Sequence, residues 1–150
     1  GMFYKRRDYS TIIGGKNPIV AHEFLGASVE GKDVVIIDDM ISSGGSMLDV
    51  AIQLKERKAN RVFICTTFGL FTDGLEKFDE YYEKGYIYRL ITTNLNYRVP
   101  ELLKRPYYIE ANMSKYLASI MNNINHNKTK KKVRSHNDKI IKLLEKTKNR

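Results

Sequence analysis

The chain of 150 residues has one cysteine, no tryptophan, three prolines and three histidines. Each scarcity excludes something. A single Cys65 cannot close an internal disulfide, so the fold must rest on its core, and a reducing, cytoplasmic setting is expected. Cys65 follows Val62-Phe63-Ile64. That apolar setting, with no neighbouring cation to lower the pKa, reads as a buried structural thiol rather than a nucleophile. His22, His126 and His136 stand without metal-ligand spacing. His22-Glu23 lacks a second histidine four residues on, so neither a zinc site nor a metalloprotease motif is expected. No apolar run approaches the roughly 20 residues a membrane helix needs. The start, Met2-Phe3-Tyr4-Lys5-Arg6-Arg7, has no apolar stretch behind it of the kind a signal peptide carries.

Acidic charge is scarce in one region only. The net charge is +9. Residues 127–150 hold ten Lys/Arg against two Asp/Glu, +8 of that total, which leaves residues 1–126 near +1. The basic pI therefore describes a tail and says little about the domain. Lys128, Lys130, Lys131, Lys132 and Arg134 read as a solvated segment rather than a nucleic-acid arm. Beyond them, Ile140, Ile141, Leu143 and Leu144 predict a short helix within residues 138–148.

What is present is an alternation of strands and helices. Val34-Val35-Ile36-Ile37 is a β-branched run that reads as a buried strand ending before Asp38. Met47, Val50, Ala51 and Leu54 recur at helical spacing, and Ser46 with Asp49 resembles a capping box. Residues 62–67 predict a second strand. Leu75, Phe78 and Tyr82 predict a helix stopped at Gly85, and residues 86–92 predict a third strand. A loop through Pro100 and Pro106 leads to a short strand at Tyr107-Tyr108-Ile109. Met113, Leu117, Ile120, Met121 and Ile124 predict the last core helix. The alternation argues for an α/β fold with a mainly parallel sheet and flanking helices. In such sheets ligands bind outside the carboxyl ends of the strands. Ten tyrosines, Tyr107 and Tyr108 among them, read as amphipathic residues at a surface or subunit contact.

The chemistry concentrates after the first of those strands. Four apolar residues, Asp38-Asp39, Met40-Ile41, then Ser42-Ser43-Gly44-Gly45-Ser46 precede a helix. Small side chains let backbone N–H groups reach a phosphate closely. The following helix aims its positive end at the same point. The two carboxylates can accept hydrogen bonds from ribose hydroxyls or hold Mg²⁺. A phosphate pocket one sugar away from two acids suits ribose 5-phosphate. The plainer alternative is a strand end followed by a tight turn.

The segment resembles the phosphoribosyl-diphosphate motif of type I phosphoribosyltransferases and of ribose-phosphate pyrophosphokinases. Val29-Glu30-Gly31-Lys32, the run from Cys65 to Phe71, Thr92-Thr93-Asn94 and Lys5-Arg6-Arg7 are similar to flanking segments of the second family. The resemblance spans residues 3 to 126. It implies a phosphoribosyltransferase-like partial domain and pyrophosphoryl transfer from ATP to ribose 5-phosphate, giving phosphoribosyl diphosphate and AMP. Asp38 and Asp39 would bind the ribose, with Mg²⁺ nearby. Ser42, Ser43, Gly44, Gly45 and Ser46 would bind the 5-phosphate. Lys5 and Arg7 would be catalytic, neutralising charge on the transferring group. The family forms homo-oligomers, so self-association is implied as well.

Two departures keep alternatives open. Ser42 and Gly44 stand where most pyrophosphokinases have aspartate and alanine, and Phe68 stands in place of a histidine. The chain also matches only the family's C-terminal part, so it is expected to be inactive alone. A non-catalytic partner subunit and a type I phosphoribosyltransferase are the other readings. The expected organisation is a loop-like lead-in at 1–28, an α/β domain at 29–126 and a basic tail at 127–150.

Overall fold

A computed structural model describes residues 1–7, 19–126, 141–142 and 144–147. By internal contacts the chain forms two compact units, Gly1–Ala111 and Asn112–Arg150. In the first, β1 (Met2–Arg7) and β2 (Ile19–Leu25) make an antiparallel ladder. Four parallel strands follow in spatial order: β3 (Val34–Ile41), β4 (Val62–Gly69), β5 (Arg89–Thr93) and β6 (Tyr108–Ala111). Between them lie α1 (Gly45–Glu56), α2 (Glu76–Glu83) and the short α3 (Pro100–Leu103).

Successive parallel strands that step in one direction through right-handed crossovers put their helices on one face. The core shows this. Met47, Leu48, Ala51 and Leu54 of α1 and Phe78 of α2 share one buried cluster with Val62, Ile64 and Leu90 of the sheet. These residues alternate along β4 and β5 because successive side chains point to opposite faces. The expected α/β architecture is present, with differences of detail. β3 continues to Ile41, so Asp38 and Asp39 lie inside the strand, held in register by Asp38 opposite Thr66 and Met40 opposite Phe68. β3 is also not buried: Val35 is 55% and Ile37 82% exposed, because the helices cover only the other face. β5 starts at Arg89 rather than Tyr86. The N–H groups of Tyr86 and Ile87 both donate to the Tyr81 carbonyl and hold that stretch against the end of α2. The segment expected as a loop contains α3, begun by Pro100 in its first turn, where a missing N–H costs nothing.

Tyr107 corrects the surface reading of the tyrosines. It is buried, its ring tilted against that of Tyr82, and its hydroxyl donates to Asp79 Oδ1 at 2.7 Å. Cys65 is half-buried rather than fully enclosed, and burial pushes its thiol pKa up.

In the second unit, α4 (Ser114–Asn125) forms where the periodicity placed it. It is not a core helix: Leu117, Met121 and Ile124 are exposed. Of the tail helix, residues 141–142 and 144–147 are described and helical, and the rest of 127–150 lies outside the described residues.

Candidate functional site: the loop between β3 and α1

The loop is built by a strand, a left-handed glycine and an uncapped helix. Gly44 has φ +86°, a conformation that side-chain-bearing residues rarely adopt. It is buried, and a Cβ there would stand 2.3 Å from Cζ of Phe78 on α2. Its carbonyl accepts from the N–H groups of Met47 and Leu48, which starts α1. Ser46 lies inside the helix and no side chain caps it, so the expected capping box does not form. With no side-chain cap, this N-terminus turns the positive end of the helix dipole toward any anion bound in the loop. Gly45 differs from Gly44: a Cβ at Gly45 would meet nothing within 4 Å.

The turn after β4 fixes the other side. Leu70 N–H donates to the Ile41 carbonyl at 2.8 Å and Thr72 N–H to the Ser42 carbonyl at 3.0 Å. The Asn96 side-chain amide donates to the Gly69 carbonyl at 2.7 Å, and Thr93 Oγ1 to the Thr67 carbonyl at 2.5 Å. The loops after β3, β4 and β5 are therefore tied together at the carboxyl edge of the sheet. A cavity of about 180 Å³ lies here, lined by Asp38, Met40 and residues 41–47. Among the described residues no Lys or Arg lines it, and the positive potential that these residues give it comes from backbone donors and the helix end.

Asp38 and Asp39 do not act as one cluster. Adjacent strand residues face opposite ways, and only Asp38 lines the cavity. Asp38 Oδ1 accepts the Asp39 N–H at 2.9 Å. Among the described residues, no three acidic, histidine or cysteine side chains converge as a metal site. Mg²⁺ commonly uses one or two carboxylates plus substrate oxygens and retained water. Asp38 beside an anion loop fits that kind of binding, in which the ion arrives with its substrate.

A family model described as the phosphoribosyl transferase domain matches residues 3–102. The chain belongs to the phosphoribosyl transferase domain family. A ribose-phosphate pyrophosphokinase of Shewanella oneidensis is 33% identical over 108 residues, 72% of this chain and 33% of that protein. An orotate phosphoribosyltransferase of Oceanobacillus iheyensis is 43% identical over 72 residues, 47% of this chain and 34% of that protein. In fold, the chain is similar to the phosphoribosylpyrophosphate synthetase of Mycobacterium smegmatis, with TM-score 0.59 and 23% identity over 75% of this chain and 34% of that one. The chain thus spans about a third of the length of these relatives.

In this phosphoribosyl transferase domain, the structure gathers Asp38, Ser42, Ser43, Gly44, Gly45 and Ser46 around one cavity. Lys5 and Arg7 lie on β1, opposite His22 and Ile19 of β2, with a register shift between Arg6 and Arg7. Their side chains lie outside what the structure describes. Sequence reasoning placed Phe78 in a helix core but missed its seat beneath the loop, and missed the Thr72 and Asn96 ties. Only the parallel register, which the chain order alone does not reveal, brings them together. No described helix is long and apolar enough to cross a membrane.

Proposed function

We propose that this domain binds ribose 5-phosphate, as the C-terminal part of a ribose-phosphate pyrophosphokinase. The observation that carries the reading is that a helix N-terminus without a side-chain cap, with Gly45 in its first turn, lines one cavity together with Asp38. The 5-phosphate sits on the loop from Ser42 to Ser46, held by backbone N–H groups and serine hydroxyls. Asp38 accepts hydrogen bonds from the ribose hydroxyls and fixes the sugar's orientation. Asp39, on the other side of β3, assists from outside the cavity. Mg²⁺, when bound with substrate, would neutralise phosphate charge. In the full reaction the anomeric hydroxyl oxygen bonds to the β-phosphorus of ATP, the bond to the α-phosphate breaks, and AMP leaves with the proton released from the hydroxyl. Lys5 and Arg7 would stabilise the charge on that transferring group. This chain, cytoplasmic and self-associating on this reading, would hold the sugar phosphate without completing the transfer alone.

The similarity to an orotate phosphoribosyltransferase over 72 residues favours a second reading, a transferase that takes phosphoribosyl diphosphate on the same loop. A non-catalytic subunit of a synthetase would also retain the loop.

Thermal melts with Mg²⁺ and ribose 5-phosphate test the first reading. Ligand at about a hundredfold over Kd adds about 2.7 kcal/mol, a rise on the order of 5 °C for a chain of this size. An Asp38→Ala/Asp39→Ala double variant should lose the rise. A rise with phosphoribosyl diphosphate alone would favour the transferase. No rise with either would remove the site.

A further inference from the structure

One peptide group carries the tie between the loops at the carboxyl edge of the sheet. The N–H of the Gly69–Leu70 peptide donates to the Ile41 carbonyl at 2.8 Å, and its carbonyl accepts from Asn96 Nδ2 at 2.7 Å. Ile41 ends β3, and the Ser42–Ser46 loop departs from it. Asn96 is thus two hydrogen bonds from that loop, in a chain whose bonds run head to tail, so that each polarises the next.

The turn that holds this peptide is strained. Phe71 has φ +51°, a left-handed conformation that a bulky residue keeps only where its surroundings enforce it. A Cβ on Gly69 would stand 2.5 Å from the Phe71 ring, and that ring meets Phe78, which lies beneath Gly44. Leu70 N–H and Thr72 N–H bond the turn to the carbonyls of Ile41 and Ser42. Asn96 anchors it from the other side, in the segment between β5 and α3. The orientation of the Asn96 amide is fixed. Nδ2 faces two carbonyls, Gly69 and, at 3.2 Å, Tyr97. A flipped amide would set its oxygen against both. Oδ1 is buried and has no donor among the described residues. That desolvation cost offsets much of what the two donated bonds contribute to stability. What the side chain supplies is the place of the Gly69 carbonyl.

We propose that Asn96 is a positioning residue for the sugar-phosphate loop: its amide fixes the Gly69–Leu70 peptide, and that peptide fixes the end of β3 from which the loop departs. Without the amide the strained turn relaxes, and Leu70 and Thr72 shift against Ile41 and Ser42. Binding then has to order a loop that the parent chain holds ready. The inference rests on the proposed sugar-phosphate reading for its ligand, and on the hydrogen bonds alone for the tie.

The test makes Asn96→Ala and Asn96→Asp in the full chain. Amide exchange by NMR reads the tie in the free chain. Calorimetry with ribose 5-phosphate and Mg²⁺, well below the melting temperature, reads the affinity of the loop. In Asn96→Ala the Leu70 and Thr72 amides should exchange about tenfold faster or more. Affinity should fall about tenfold, and Tm by less than about 4 °C. A residue that merely supported the fold would lower Tm and leave the affinity of the folded chain unchanged. Asn96→Asp presents an ionised carboxylate to the Gly69 carbonyl at about pH 8 and, as burial raises its pKa, a donating O–H at about pH 5. Measured against the parent at each pH, its affinity should be low at the first and recover at the second. Parent-like exchange at Leu70 and Thr72, parent-like affinity, or an Asn96→Asp deficit equal at both pH values would each overturn the proposal. Should Asn96→Ala fail to fold, the pH contrast in Asn96→Asp decides. If the parent itself takes no ribose 5-phosphate, the sugar-phosphate reading fails alone, and the exchange rates decide for Asn96.

Discussion

The ring of Phe78 occupies the space that a side chain on Gly44 would need, with Cζ 2.3 Å from the position of the absent Cβ. Phe78 is fully buried, and its ring meets Phe71 edge-on at 5.2 Å, so it cannot swing aside cheaply. Gly44→Ala therefore combines an overpacked contact with a strained left-handed backbone. It should cost about 2–4 kcal/mol, on the order of 10 °C in Tm. Thermal unfolding of the free chain measures this directly, and a Tm within 2 °C of the parent, by the same scale, would show that the loop is not wedged on Phe78.

Gly45 separates binding from stability. A methyl group there meets nothing within 4 Å, and alanine is the better helix former by about 1 kcal/mol. Gly45→Ala should leave Tm unchanged or slightly raised. Gly45 lines the loop cavity, and if the phosphate sits there the added methyl group should keep backbone donors from approaching it, so the ribose 5-phosphate response should fall by roughly tenfold or more, the effect of about 1.4 kcal/mol. Calorimetry on the parent and variant gives both numbers. Equal affinities would mean that the anion sits elsewhere.

Much of this site could be read before the fold was known, and the reason is local. The order of strand, acids, small residues and helix lies within residues 34–56, where i to i+4 periodicity and β-branched runs carry the signal. The αL role of a glycine before a helix is likewise local. What was not legible depends on neighbours distant in sequence. The extension of β3 through Asp38 and Asp39 is enforced by its register with Thr66 and Phe68. The exposure of Val35 and Ile37 reflects which face the crossovers cover, and four β-branched residues look the same whether one face or two is buried. Tyr107 was misread because its burial is bought by Asp79, 28 residues earlier. The exposed stripe of α4 shows the same limit: periodicity finds an amphipathic helix and does not say what its apolar side meets.

That Tyr107–Asp79 bond makes a pH prediction. Burial first, and the hydrogen bond to Asp79 second, push the Tyr107 pKa up, while Arg105 holds the other Asp79 oxygen at 2.7 Å. An unfolded tyrosine ionises near about 10, and the folded one keeps its proton to higher pH. The unfolded chain thus releases this proton first, so the stability Tyr107 contributes is intact below pH about 10 and is lost as pH rises beyond it. Tyr107→Phe should cost about 1 kcal/mol at neutral pH, and its Tm should fall less steeply than the parent's above pH about 10. Parallel slopes for the two proteins would refute the assignment.

The last prediction concerns the acids. The sequence presents Asp38-Asp39 as a pair, but alternation along β3 sends them to opposite sides, and only Asp38 lines the loop cavity. If the sugar lies in that cavity, the two positions are unequal. Asp38→Ala removes an acceptor facing the ribose and should abolish most of the ligand-induced rise in Tm. Asp39→Ala, which removes a carboxylate outside the cavity, should keep more than half of it. Both residues are exposed, so neither change should shift the melting of the free chain by more than about 0.5 kcal/mol. Comparing the ribose 5-phosphate response of the two single variants decides the matter. Equal losses would mean that the acids converge on the sugar when it binds, and that the end of β3 must twist to bring Asp39 round.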